Sequence, residues 1–131
     1  MCTVNSNATV YVFHITKEAC FQPDICFWRD SSGALRDRPV VADDLIYSLE
    51  RLADRNVSSP GSWLVDDTIK GMRTFADVST QSATTDYSMQ IAGLQALDSH
   101  TVQITLSQPR QVHICKILTC SNNGGCNDGV I

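Results

Sequence analysis

A chain of 131 residues with 43% hydrophobic and 18% charged side chains has the composition of one globular domain, large enough to bury roughly two-thirds of its unfolded surface. A formal net charge of −4 and a pI near 5.1 exclude the basic patch that phosphate binding requires, so nucleic acid is no partner. No run approaches the ~18 apolar residues of a membrane span, and the start Met1-Cys-Thr-Val-Asn5 predicts no secretory signal, lacking a basic end and an apolar core.

In chain order, residues 3–4, 5–8 and 9–15 read as strand, turn and strand, a hairpin whose Asn-rich turn tolerates left-handed backbone. In the second strand Val10, Val12 and His14 alternate with Tyr11, Phe13 and Ile15, so both faces are largely apolar. That pattern suits a strand covered on two sides or lying beside a helix. Residues 16–39 carry loop chemistry, Pro23-Asp24, Ser31-Ser-Gly33 and Arg36-Asp-Arg-Pro39. Phe21, Phe27 and Trp28 are expected to anchor this excursion to the core; Cys20 and Cys26 could close it as a disulfide, although the absence of a secretory signal favours reduced thiols.

The segment 38–54 is the clearest helix and the organiser of the chain. Leu45, Ile46, Leu49, Leu52 and Ala53 share one helical face, while Asp44, Ser48, Arg51 and Arg55 fall opposite and read as solvated. Asp43 and Asp44 lie in the first turn, where carboxylates oppose the helix dipole. After the turn-rich residues 55–62, segment 63–76 predicts a less regular helix interrupted at Gly71. Residues 77–88 read as a polar surface loop, 89–97 as apolar in patches, and Ser99-His100 as a turn. In 101–106, Val102, Ile104 and Leu106 alternate with Thr101, Gln103 and Thr105, a half-buried strand. Pro109 ends it; residues 111–119 fit one more short helix or strand. The predicted class is α+β (mixed α/β): a small sheet made of the N-terminal hairpin and the 101–106 strand, packed on two or three helices.

Several of these stretches together resemble the extracellular solute-binding proteins of peptide-type ABC importers (oligopeptide, dipeptide or nickel). They are Thr9-Val-Tyr-Val-Phe-His-Ile-Thr-Lys17 with Phe21, Arg38-Pro-Val-Val-Ala-Asp-Asp-Leu-Ile-Tyr-Ser-Leu-Glu-Arg-Leu-Ala-Asp54, Val57-Ser-Ser-Pro60 with Ile69-Lys-Gly71, Ile91-Ala-Gly-Leu-Gln-Ala-Leu-Asp98, and Thr101-Val-Gln-Ile-Thr-Leu-Ser-Gln-Pro109. Each is weak alone, but in register they cover roughly residues 3–110. The resemblance implies a receptor of periplasm or cell envelope, bacterial, non-catalytic and without cofactor. Its full-length members close two lobes around a peptide or similar small solute, and the matched region is similar to one subdomain only.

The chain therefore divides into a solute-binding-protein-like subdomain, 1–110, and a divergent, flexible Cys/Asn/Gly-rich tail, 111–131, and it resembles a truncated piece with little ligand binding alone. The resemblance brings the subdomain close to the ligand cleft near its Ser-Pro turn, so Ser59, Pro60, Gly61 and Trp63 are the candidate cleft-facing residues. Peptide binders can place an aromatic where Gly61 stands, and glycine removes that contact. A threonine commonly caps the central helix in the family. Here the position is Val41, which lacks an acceptor and costs about 1 kcal/mol unless a neighbour substitutes. The alternative is a self-associating structural protein, a homo-oligomer that reuses the orphaned subdomain surface through Trp63, Leu64 and the chain end.

Other chemistry is poorly supported. His113, Cys115, Cys120 and Cys126 are spaced H-x-C-x4-C-x5-C, without the C-x-x-C pair that zinc sites favour, so no metal is assigned. No catalytic signature surrounds a cysteine or serine, so no catalytic residue is named. Asp43-Asp44 and Asp66-Asp67 read as exposed helix-terminal carboxylates, His14 as packed or hydrogen-bonded, and the sequons at Asn7 and Asn56 as chance.

Overall fold

The computed structural model describes residues 2–27 and 29–109. The Trp28 anchor, the element expected at 111–119, the tail expected over 111–131 and the His113/Cys115/Cys120/Cys126 set lie outside the described residues. Among the described residues the elements run β1 (Cys2–Val4), β2 (Val10–His14), α1 (Ala42–Ala53), a 3-10 turn (Ser62–Leu64), α2 (Met72–Ser79), β3 (Leu94–Asp98) and β4 (Thr101–Thr105). The sheet is antiparallel throughout, in the order β1-β2-β4-β3. This is the expected α+β class, a small sheet with helices against it.

The hairpin forms as expected, but its turn works differently. Ala8, not an asparagine, takes the left-handed conformation (φ 50°). Asn5 contributes as a side-chain clamp, its Oδ1 accepting the N–H groups of Thr9 (2.9 Å) and Val10 (3.0 Å). In β2 one face alone enters the core: Tyr11 and Phe13 are buried, Val10 and Val12 half-buried, and His14 exposed. Tyr11 pairs with Ile104 and Phe13 with Val102 across β4, so alternating side chains from the two central strands meet the helices on one side.

On α1, Ala42, Leu49 and Ala53 are buried and Leu45, Ile46 and Leu52 pack at the rim of the same core. Val41 has no side-chain acceptor, and neighbours substitute for the missing cap. The Val41 N–H donates to Asp44 Oδ2 (2.9 Å), and the Ala42 N–H reaches Ser99 O in the β3–β4 turn (2.9 Å). The helix therefore starts where the sheet supplies an acceptor, which ties its N-terminus to the sheet.

The expected helix at 63–76 is not continuous. Gly71 sits left-handed (φ 83°) as the N-cap of α2, so the helix begins at Met72 and extends to Ser79, three residues into the stretch read as loop. Ahead of it, Ile69 forms an isolated antiparallel bridge to Leu106, flanked by Lys70 N–H to Thr105 O (3.0 Å) and Ser107 N–H to Thr68 O (2.9 Å). Gly93 lies so close to this segment that a Cβ there would meet Lys70 O at 2.5 Å. Only glycine permits that approach.

β3 was not anticipated beyond an apolar patch. The excursion after β2 also differs from expectation. Phe21 and Phe27 meet in a tilted contact (centroids 6.0 Å apart, planes at 44°) but belong to no part of the buried core. Cys20 and Cys26 are both free and exposed. Backbone bridges, Cys20 to Pro39 and Arg29 to Leu35, hold the excursion in place of a disulfide.

Candidate functional site

The candidate turn follows the C-terminal end of α1. Asp54 caps that end, its N–H bonded to Glu50 O (2.9 Å), and the residue is only 2% exposed. It accepts the Tyr87 hydroxyl (2.6 Å) and the Asn56 N–H (2.8 Å). Burial works to raise the Asp54 carboxyl, but hydrogen bonds from Tyr87, Thr85, Asn56 and Ser79 outweigh it and hold the group below the ordinary value. Tyr87 is pushed up to about 12, by burial and by donating to that carboxylate.

Arg55 N–H donates to Ser79 Oγ (3.1 Å), and Asn56 Nδ2 reaches Ser79 O (2.8 Å), Ser82 O (3.1 Å) and Thr85 Oγ1 (3.0 Å). The Asn56 sequon side chain is thus committed to the fold.

From this base the chain turns outward. Ser58 adopts a left-handed backbone (φ 53°); the Gly61 N–H donates to Ser59 Oγ (3.3 Å) and the Ser62 N–H to Ser59 O (3.3 Å). The following 3-10 turn separates its side chains sharply. Leu64 and Val65 are 4% and 0% exposed, whereas Trp63 is 63% exposed. Ser59 and Gly61 are half-buried and Pro60 is exposed. A Cβ at Gly61 would stand 3.0 Å from Leu52 Cδ1, so an aromatic at that position needs Leu52 to give way. The four predicted residues therefore form one local turn seated on α1. Leu64 does not belong to the exposed surface proposed for self-association; it is a core residue.

Sequence reasoning missed the charged groups beneath. Arg55 is not solvated as α1 periodicity suggests; it pairs with Asp66 (Nη2 to Oδ2, 2.6 Å) and donates to Ser62 Oγ (3.3 Å). Asp66 is not an exposed terminal acid but 7% exposed, and burial raises its carboxyl against the lowering pull of Arg55. Its neighbour Asp67 behaves as expected, in an open pair with Arg73 (2.9 Å). Glu50, on the apolar side of α1, is 6% exposed and burial pushes it up to about 7. No local pattern marks these acids, since their burial comes from segments distant in sequence.

A concavity of about 500 Å3 lies elsewhere, by the N-terminal end of α1, lined by His14, Ile15, Lys17, Asp98, Ser99, His100 and Thr101. It is open. His14 Nδ1 lies 3.2 Å from Thr101 Oγ1 and His100 Nδ1 2.9 Å from Ser99 Oγ. The Asp98 carboxylate accepts the His100 backbone N–H (2.7 Å) rather than orienting an imidazole, so Ser99 and His100 do not make a nucleophilic triad. Among the described residues no three His, Cys, Asp or Glu side chains are grouped to hold a metal ion, and no helix is long and apolar enough to cross a membrane.

Comparison with known proteins agrees with the residues that carried the resemblance. The profile of the bacterial extracellular solute-binding proteins, family 5 Middle, matches residues 2–122. The periplasmic oligopeptide-binding proteins of Escherichia coli K12 and Salmonella typhimurium LT2 are 30% and 33% identical, each over 80% of this chain and 16% of their own length. Among solved structures, a periplasmic oligopeptide-binding protein of Borrelia burgdorferi superposes over 92% of this chain and 20% of its own, with a TM-score of 0.65 at 19% identity, which shows the fold. An oligopeptide-binding protein of Listeria monocytogenes, solved with bound peptide, covers 86% of this chain and 18% of its own (TM-score 0.56, 25% identity). The chain thus spans about one-sixth of the length of these curated relatives. By its profile, its order of elements and its fold, the chain belongs to the family 5 bacterial extracellular solute-binding proteins.

Proposed function

We propose that this chain serves as a ligand-side module of the receptor of a peptide-type ABC importer, working in the periplasm or cell envelope. It contacts a peptide or similar small solute through Ser59, Pro60, Gly61 and Trp63, catalyses nothing and holds little solute alone. One observation carries this reading: Trp63, 63% exposed, stands on a base whose next two side chains are 4% and 0% exposed. A large aromatic with one end wet, fixed by a buried footing, is a contact surface at low entropic cost. Trp63 also supplies, two residues on, the aromatic surface that Gly61 lacks.

Weak binding follows from geometry. Ligand pockets bury 70–90% of a small ligand, whereas a single exposed turn covers one side. The test is an amide NMR titration of the 131-residue chain with short oligopeptides. The expected result is fast-exchange shifts confined to Ser59, Gly61, Ser62 and Trp63, with dissociation constants of about a millimolar or weaker. Shifts centred instead on His14 and Thr101, or micromolar binding, would contradict the reading.

A further inference from the structure

Residues 55–66 leave the end of α1, carry the Ser59–Trp63 surface, and return to the core at Asp66. The two ends of this loop are joined by one contact. Arg55 Nη2 lies 2.6 Å from Asp66 Oδ2, Arg55 Nη1 donates to Ser62 Oγ at 3.3 Å, and the Asp66 N–H donates to Ser62 O at 3.1 Å. Ser62, immediately before Trp63, is therefore held by its hydroxyl from one end of the loop and by its carbonyl from the other. The second carboxylate oxygen, Asp66 Oδ1, is buried without a hydrogen-bond partner among the described residues. That leaves the pair with Arg55 as the main compensation for burying this carboxylate.

We infer that Arg55 and Asp66 are positioning residues, a clasp that fixes the Ser59–Trp63 turn in its outward conformation. The clasp itself stands on these distances; its bearing on solute contact rests on the function proposed above. The guanidinium makes a forked contact that a lysine cannot reproduce. The pair is largely shielded at Asp66, with side-chain exposures of 36% and 9%, whereas Asp67–Arg73 in the same stretch is open on both sides at 64% and 64%. Screening by water makes the open pair nearly neutral and leaves the shielded one strong.

The charged groups acting on Asp66 are Arg55 from the loop start, Asp67 beside it and Arg73 from α2. Burial and Asp67 raise its carboxyl; Arg55 and Arg73 lower it, and the net direction is upward from 3.8. Acidification accordingly opens the clasp before ordinary carboxylates titrate.

The experiment uses the whole chain without ligand. Amide resonances of Gly61, Ser62 and Trp63 are followed from pH 7 to pH 3, together with their hydrogen exchange at pH 7. The wild type is expected to show a common titration with a midpoint above 3.8. In Asp66→Asn that titration disappears and exchange at Gly61 and Ser62, whose N–H groups are hydrogen-bonded to Ser59, rises about tenfold, as for a locally opened loop. Arg55→Lys gives an intermediate rate and Arg55→Met the full increase. Asp67→Asn, which breaks the open pair, leaves the exchange rates at wild type and moves the titration midpoint down, because Asp67 helps to raise the Asp66 carboxyl.

Persistence of the titration in Asp66→Asn overturns the clasp, as does unchanged exchange in Arg55→Met. If the turn titrates with Asp66 while added oligopeptide shifts none of Ser59–Trp63, the clasp stands and the proposed solute contact falls.

Discussion

Two long connections flank α1, and they are built on opposite plans. The excursion over residues 16–41 ends where it began, at the sheet side of the N-terminal end of α1, and its aromatics Phe21 and Phe27 turn toward each other. Arg38 covers Phe21 at 5.1 Å and pairs with Asp44 at 2.6 Å, a contact with a side chain 44% exposed on the arginine side. The connection over residues 54–71 instead sends Leu64, Val65 and Ile69 into the core and buries two aspartates, Asp54 and Asp66, against the half-buried partners Tyr87 and Arg55. The lesson concerns placement. A surface loop can be long and locally ordered on surface contacts alone, whereas a loop threaded through the core presents its exposed residues on a buried footing. The latter is what a binding surface needs.

Changes in the threaded connection should therefore cost more than changes in the excursion, and the order of their costs is a direct way to break the comparison. The largest effect is expected from Ile69→Ala. Ile69 is 1% exposed and bridges to Leu106, so the lost side chain destabilises by about 2–4 kcal/mol in urea unfolding. Gly93→Ala comes next. Its Cβ would fall 2.5 Å from Lys70 O and 2.7 Å from Ile69 Cγ2, forcing the connection off β3 at a cost of about 1–3 kcal/mol.

Glu50→Gln sharpens the comparison with the opposite sign. The folded-state carboxyl is raised to about 7 from 4.5, so ionisation is penalised in the fold and stability falls as pH rises through that window. The variant is expected to be more stable by about 1–2 kcal/mol at pH 8, with the gain shrinking below pH 7 and vanishing near 4.5. A thermal melt at several pH values reads this. The smallest effect belongs to the excursion: Phe21→Ala, at 37% exposure, costs less than about 0.5 kcal/mol. A loss comparable to that of Ile69→Ala would mean that the excursion is a second core.

The same division explains what the sequence disclosed. α1 and β4 were legible because Leu49, Ala53, Val102 and Ile104 repeat at the helix and strand periods and are all buried. The hairpin was legible from its turn, although the left-handed residue proved to be Ala8. β3 was not, since it is an edge strand with Gln95, Ala96 and Leu97 exposed and no alternation to read. The start of α2 was visible as an interruption at Gly71, but which side of it was helical depended on the Ile69–Leu106 bridge. The turn at 59–63 came from family resemblance, and its four residues are adjacent in space because they are adjacent in sequence. The footing was hidden: by helical period Arg55 falls on the polar side of α1, although the helix ends at Ala53, and Asp66 stands next to an exposed Asp67, so only the folded chain brings the two to 2.6 Å.

Native-state hydrogen exchange, resolved residue by residue, tests most directly the claim that the 54–71 connection is a core-anchored platform for Trp63. The hydrogen-bonded amides of Val65, Ile69 and Lys70 are expected to exchange only through opening close to global unfolding, while those of Phe21, Phe27 and Val40 open at far lower free energy. Equal protection in the two connections, or the reverse order, would contradict the account.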